Sequence, residues 1–143
     1  MNIDRMKNLL FDLCSIPSIS ETPGEIEMAE KIYETVMNMD YFKNNPANAG
    51  INPIKNDPFG RYYVHALMEG KPESKKTVIL LSHFDVVNVE DYGAYKDYAF
   101  KPLEYTELLK NGSGISLSKE AETDLASGDY IFGRGIMDMK FGL

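Results

Sequence analysis

The chain has 143 residues, 43% of them hydrophobic and 26% charged, with a net charge of −7 at pH 7; this is the composition of an ordinary soluble domain with enough interior for a real core. The acidity excludes a nucleic-acid partner, whose phosphates demand a basic face. The single cysteine excludes an internal disulfide and suits a reducing compartment, and the opening MNIDRMKNLLFDLC has acidic residues and no long apolar run, which excludes a signal peptide or membrane span and leaves a cytoplasmic location as the expectation.

Ile3, Met6, Leu9, Leu10 and Leu13 recur at helical spacing and predict a helix over residues 3 to about 15. Pro17 stops it, because the residue before a proline avoids the helical region. Cys14 near its end has no basic neighbour in sequence to lower its pKa, so it reads as a buried structural thiol. Thr22-Pro23-Gly24-Glu25 has the form of a capping box with proline at the first helical position. Ile26, Ala29, Tyr33, Val36 and Met37 continue that helix on one face to about Asp40, with Met28, Met37 and Met39 as gap-filling core or boundary residues.

Residues 44–60 hold three prolines and several Asn, Asp and Gly residues and read as a loop, with a short strand around 51–55 and a turn at Asp57-Pro58-Phe59-Gly60. Tyr62, Tyr63, Val64, Ala66 and Leu67 give residues 61–69 strand composition. His65 lies mid-strand on the face of Tyr63 and Leu67, and no carboxylate stands two residues away to orient it, so a packing or surface role is expected. Residues 70–74 read as a turn into a second strand, which would then run antiparallel to the first.

That second strand is Thr77-Val78-Ile79-Leu80-Leu81, a short charge-free run with the pattern of a strand covered on both faces. Ligand sites in open α/β sheets lie beyond the carboxyl ends of such strands, where His83 and Asp85 stand. Residues two apart on an extended chain point the same way. A metal-bound imidazole commonly passes its second N–H to a carboxylate, which fixes the tautomer. His83 therefore reads as a metal ligand and Asp85 as its orienting partner. The plainer alternative is that His83 caps a strand and Asp85 begins a turn.

Residues 88–129 show the weakest patterning. Asp91-Tyr92-Gly93 is turn-like, Tyr95, Tyr98 and Phe100 form an aromatic group, residues 111–114 make a connection, and 118–125 suit a short helix capped by Ser118. An insertion of this kind at a site's edge would shape substrate access. Tyr130-Ile131-Phe132 reads as a strand. Gly133 and Gly135 flank Arg134 and allow a tight turn. Asp138 would lie near the start of a helix opening at Met139-Lys140-Phe141, where its carboxylate is either a hard metal ligand or a plain helix cap. GRGIMD is not a dinucleotide-binding G-x-G-x-x-G, because Asp138 takes the third glycine's place.

SHFDVV, GRGIMDMKFG and, near the start, LCSIPSISETPGE together resemble the zinc-dependent metallopeptidases and deacylases typified by aminoacylase, acetylornithine deacetylase and succinyl-diaminopimelate desuccinylase (peptidase family M-twenty). The three motifs occur in the family's order. The long acidic, tyrosine-rich span after VEDYG looks most like the arginine-utilisation, RocB-like branch. The resemblance implies an α/β fold, a three-layer mixed sheet flanked by helices as in the zinc-exopeptidase catalytic domain. It implies that His83 ligates one metal, that Asp138 bridges two, that Asp85 is the catalytic residue orienting His83, and that the Asp138–Met139 peptide is cis. Two departures stand out: the span between Asp85 and Asp138 is longer than usual, and Phe141 replaces a small residue.

The implied cofactor is zinc, two ions per full-length enzyme, with cobalt or manganese as substitutes. The implied substrate is a small peptide or an N-acyl amino acid. The family's general base, from a Glu-Glu pair, and its remaining ligands lie downstream of the Asp138 motif, and Glu104, Glu107, Glu120 and Glu122 are all upstream of it. Residues 1–143 therefore read as the N-terminal part of the catalytic domain, without the lid or dimerisation domain, and inactive alone. A non-catalytic binding or assembly module and a single-metal hydrolase of another family are the competing readings. Substrate identity, metal loading of this chain and oligomeric state are not legible in it.

Overall fold

A computed structural model describes residues 2–73, 75–112 and 114–143. Among them the chain is mixed α/β, with several helices and one two-stranded antiparallel sheet. Ser74 and Ser113, which belong to the connections expected at 70–74 and 111–114, lie outside the described residues.

Helix α1 spans Ile3–Cys14, and the Asn2 side chain caps it by accepting from the Arg5 N–H at 3.1 Å. The predicted apolar face divides along its length: Leu13 is buried and Leu9 packs beside it, whereas Ile3 and Met6 are exposed. Helix α2 spans Gly24–Met37. Its expected capping box forms only in part. The Glu25 carboxylate reaches back to the Glu21 N–H at 2.6 Å, but the Thr22 hydroxyl donates to Ile19 O at 2.6 Å and accepts nothing from the helix. A hydrogen on the Gly24 Cα is what allows α2 to start against the preceding chain, since a Cβ there would sit 2.1 Å from Pro17 O. Leu13, Ile16 and Met28 form the core cluster between α1 and α2, with Leu9, Ile32 and Phe84 against it.

A short helix α3, Asp40–Asn44, brings the chain to strand β1, Ala49–Pro53. Strand β2, Tyr62–Ala66, returns antiparallel with Ile51 opposite Val64. The Asp57 carboxylate shapes the turn between them. It accepts from the Phe59 N–H at 3.1 Å and the Arg61 N–H at 2.9 Å, and pairs with the Arg61 guanidinium. Helix α2 packs across both strands.

Beyond β2 the structure departs from the sequence reading. Residues 77–81 form no strand, and Val78, Ile79, Leu80 and Leu81 are 82 to 92% exposed rather than covered on both faces. β2 pairs with β1 and not with this run. Residues 130–132 are likewise not a strand. A strand exists only with a neighbour to receive its backbone hydrogen bonds, and among the described residues neither run has one. The coarse α/β class holds; among the described residues the sheet has two strands and no three-layer arrangement.

The last third contains a 3-10 stretch at Glu90–Tyr98, helix α4 at Pro102–Lys110 and helix α5 at Lys119–Ser127. Ser118 caps α5 by accepting from the Ala121 N–H at 3.2 Å. Sequence reading missed α4, although proline at its first position and the buried spacing Pro102, Thr106, Leu109 mark it. The helix expected at 139–141 is one 3-10 turn, Lys140–Gly142. No helix among the described residues is long and apolar enough to cross a membrane.

Candidate functional site

His83 and Asp138 are 55 positions apart in the chain, yet His83 Nε2 lies 3.0 Å from Asp138 Oδ1. The other ring nitrogen, Nδ1, lies 3.1 Å from Asp85 Oδ1. One imidazole is thus held between two carboxylates. Neither the His83 segment nor the Asp138 segment is the end of a strand, contrary to the strands expected at 77–81 and 130–132. Residues 83–87 form an extended segment whose one bridge among the described residues is parallel, Val86 beside Ile19. Ser20 N–H donates to Val86 O, and Val86 N–H to Ser18 O, each at 2.9 Å. Residues 133–142 then turn back beside that segment. Gly135 has φ of +80°, and a Cβ on it would come within 2.9 Å of Val86 Cγ1, so glycine is what lets the two segments touch. The Asp138–Met139 peptide is cis.

The electrostatics follow from this arrangement. Partial desolvation is the strongest single influence on His83 and pulls its pKa down, but the hydrogen bonds and charges of Asp138 and Asp85 outweigh it and leave the imidazole above its ordinary value. For Asp85 desolvation acts upward. The hydrogen bonds from Ser20 and His83 win, and the carboxyl sits below its ordinary range. Ser20 Oγ donates to Asp85 Oδ2 at 2.8 Å. Asp85 therefore has one oxygen fixed by a hydroxyl and the other facing the imidazole.

The donor set can be compared with a metal's needs. Zn–N and Zn–O bonds of about 2.0–2.1 Å at a tetrahedral angle put two donors roughly 3.3 Å apart. The observed 3.0 Å between Nε2 and Oδ1 is within a few tenths of that. The pair fits two positions of a zinc, cobalt or manganese site, with Asp85 on the far ring nitrogen where an orienting carboxylate belongs. Among the described residues no three His, Cys, Asp or Glu side chains converge to hold an ion, so this chain offers part of a donor set.

A cleft of about 230 Å³ opens beside the pair, lined also by Val86, Val87, Arg134 and Met137. Arg134 is held from behind. Its N–H donates to Ala99 O at 2.8 Å, its guanidinium donates to Asp91 at 2.5 Å, and it lies 5.2 Å above the Tyr92 ring. A larger apolar cavity of about 600 Å³, which includes Tyr92, Tyr105, Tyr130 and Phe132, meets the cleft at Gly133 and Met137. Tyr95, Tyr98 and Phe100 do not line either space.

Sequence reading named His83, Asp85 and Asp138 and left out Ser20, Arg134 and Lys140. All three lie inside the quoted motifs, but nothing in their spacing shows which groups they meet. The remaining candidates stand apart. His65 is exposed on β2, its Nδ1 3.0 Å from Asn52 Nδ2. Cys14 is fully buried, and burial pushes its thiol up against a smaller opposite pull from Lys140. The hydrogen-bond and ion-pair partners of the imidazole are Asp85 and Asp138, and not Glu104 and Glu107 on α4 or Glu120 and Glu122 on α5.

Two curated relatives are similar over nearly the whole chain. It is 40% identical over 140 residues to the uncharacterized protein YqjN of Bacillus subtilis (strain 168), and 35% identical over 140 residues to Protein RocB of the same organism. These alignments cover 98% of this chain but only 25% and 24% of the relatives, so the chain spans about a quarter of their length. No family model and no solved structure matches it.

Proposed function

We propose that the chain is the N-terminal portion of a metal-dependent hydrolase that cleaves an amide bond in a small peptide or an N-acyl amino acid. One observation carries the reading: an imidazole whose Nδ1 is met by Asp85 at 3.1 Å and whose Nε2 is aimed at Asp138, 3.0 Å away. Similarity to YqjN and RocB over all three motifs supports it, as does the resemblance of those motifs to the aminoacylase and deacylase family. The RocB-like branch carries arginine utilisation as the proposed setting and the cytoplasm as the proposed location. The proposed fold of the whole catalytic domain is three-layer α/β.

In this reading His83 Nε2 and the Asp138 carboxylate hold zinc, cobalt or manganese. A divalent ion at that position supplies Lewis acidity toward water and the scissile carbonyl. Asp85 accepts a hydrogen bond from Nδ1–H, which holds the proton on Nδ1 and would keep the Nε2 lone pair free for the ion. It also stabilises whatever positive charge the ring acquires. Asp138 adds negative charge on the side where the ion's charge must be balanced. Val86, Val87 and Met137 line the cleft beside the pair. The general base and the remaining ligands come from other parts of the enzyme.

Zinc-dependent hydrolysis by a full-length protein carrying this segment tests the proposal. His83→Ala should lower kcat/KM by at least about a thousandfold, an open-ended loss of the size expected when an essential ligand goes. Absence of zinc-dependent hydrolysis in the unaltered full-length protein favours a non-catalytic binding module, the reading helped by the small number of converging donors among the described residues; hydrolysis that survives the change removes His83 from the site. Elemental analysis giving one ion per chain would favour a single-metal hydrolase. The 143-residue chain alone should not turn over, and robust zinc-dependent turnover by it would overturn the N-terminal-portion reading.

A further inference from the structure

The two halves of the His83–Asp138 pair are both tied to one short segment, the exit of α1 at residues 13–20. On the His83 side, Ser18 Oγ donates to Phe84 O at 2.6 Å and Ser20 Oγ to Asp85 Oδ2 at 2.8 Å. On the Asp138 side, Lys140 Nζ donates to Leu13 O at 2.9 Å and Ile16 O at 2.6 Å. Lys140 is only 1% exposed. A lysine is almost never fully buried without a partner. Here its partners are carbonyls at and just beyond the negative end of α1's dipole, with the Phe100 ring 5.8 Å from the ammonium.

The same lysine closes the turn that carries Asp138. Its N–H donates to Gly135 O at 2.9 Å, and its stem packs where a Cβ on Gly135 would meet Cδ and Cε at 3.3 Å. An apolar side chain could fill this volume, but it would give up both Nζ hydrogen bonds and leave Leu13 O and Ile16 O with only their backbone donors, the Ile16 and Ser18 N–H groups. Directed hydrogen bonds give the turn one position.

We propose that residues 13–20 form the positioning bracket of the site, with Ser20 setting the carboxylate that orients His83 and Lys140 setting the turn that presents Asp138. Its purpose rests on the metal reading; its geometry does not. Ser20 and Lys140 are positioning residues, since each acts through Asp85 or Asp138.

The test uses the 143-residue chain with ¹⁵N-labelled histidine, whose two imidazoles are His65 and His83, and zinc alone as the probe. Ser20→Ala should move the His83 ring ¹⁵N signals, leave those of His65 in place, and weaken zinc binding about tenfold, the lower end of what losing an outer-shell partner costs. Ser20→Thr, which keeps the hydroxyl, should restore both. Lys140→Met should perturb the Asp138 amide and weaken zinc binding by a similar factor; if it does not fold, the Ser20 variants decide. Unchanged His83 signals in Ser20→Ala, or a threonine variant that behaves like alanine, overturn the bracket. If the unaltered chain takes no zinc, as a partial donor set allows, the ring signals alone decide the bracket, and zinc dependence of the full-length protein decides the metal reading.

Discussion

The chain's two histidines sit in contrasting surroundings. His65 lies on a regular strand, in a sheet whose register comes from backbone pairing, and its ring meets the neutral amide of Asn52. His83 lies on an extended segment with one bridge to its neighbour, and its ring meets two carboxylates, one from the same segment and one 55 positions on. The regular region holds its histidine incidentally. The irregular region is held together by side chains and close glycine contacts, and those same contacts aim the histidine. Backbone repetition builds a surface, whereas a site needs groups that no repeat supplies.

Changes that strike one neighbourhood and spare the other sharpen this contrast. The largest effect is expected at Gly24, where a methyl would collide with Pro17 O beneath the bracket at 2.1 Å. Gly24→Ala should destabilise the fold by about 3 kcal/mol, the upper range for overpacking, as read from urea unfolding. It should disturb His83 signals before those of His65. Asn52→Ala should be much milder. It removes only the partner of an exposed ring, worth about 0.5–1 kcal/mol, and should leave His83 unmoved; a shift in His83 would show that the two regions are coupled.

The pH responses should also separate. His83 is raised above its ordinary value of 6.5 when no metal is bound. Its contribution to stability is therefore full below the unfolded value and is lost as pH rises through the folded one. Asp138→Asn should lower that folded pKa, as followed by imidazole shifts in a pH titration. Because a proton and a metal compete for Nε2, zinc affinity should rise across the same window. Asp57, on the His65 side, is drawn down to about 2, chiefly by its hydrogen bonds with Arg61. Its contribution is present above the unfolded value of about 3.9 and fades as pH falls toward 2. Carboxylate titration by NMR should find Asp57 still ionised at pH 3; an ordinary value there would remove the Arg61 clip from the account.

Local patterns were legible and remote partners were not. Helices α1, α2 and α5 announce themselves through periodicity or a cap, and the turn at Asp57 through its composition. The run at 77–81 has strand composition, but its partner is not a local property, and β2 takes β1 instead. Of the site, the spacing of His83 and Asp85 suggested a pair, and the motif resemblance brought in Asp138. Ser20 and Lys140 stayed hidden because a serine after a helix and a lysine in a glycine-rich turn are ordinary in sequence. Only the fold shows that each reaches across to the site.

Zinc titration of the 143-residue chain, followed at both imidazoles, tests the central claim most directly. A saturable response at His83 Nε2, none at His65, and loss of the response in Asp138→Asn are the predicted result. Equal responses at the two rings, or a His83 response indifferent to Asp138, would contradict it.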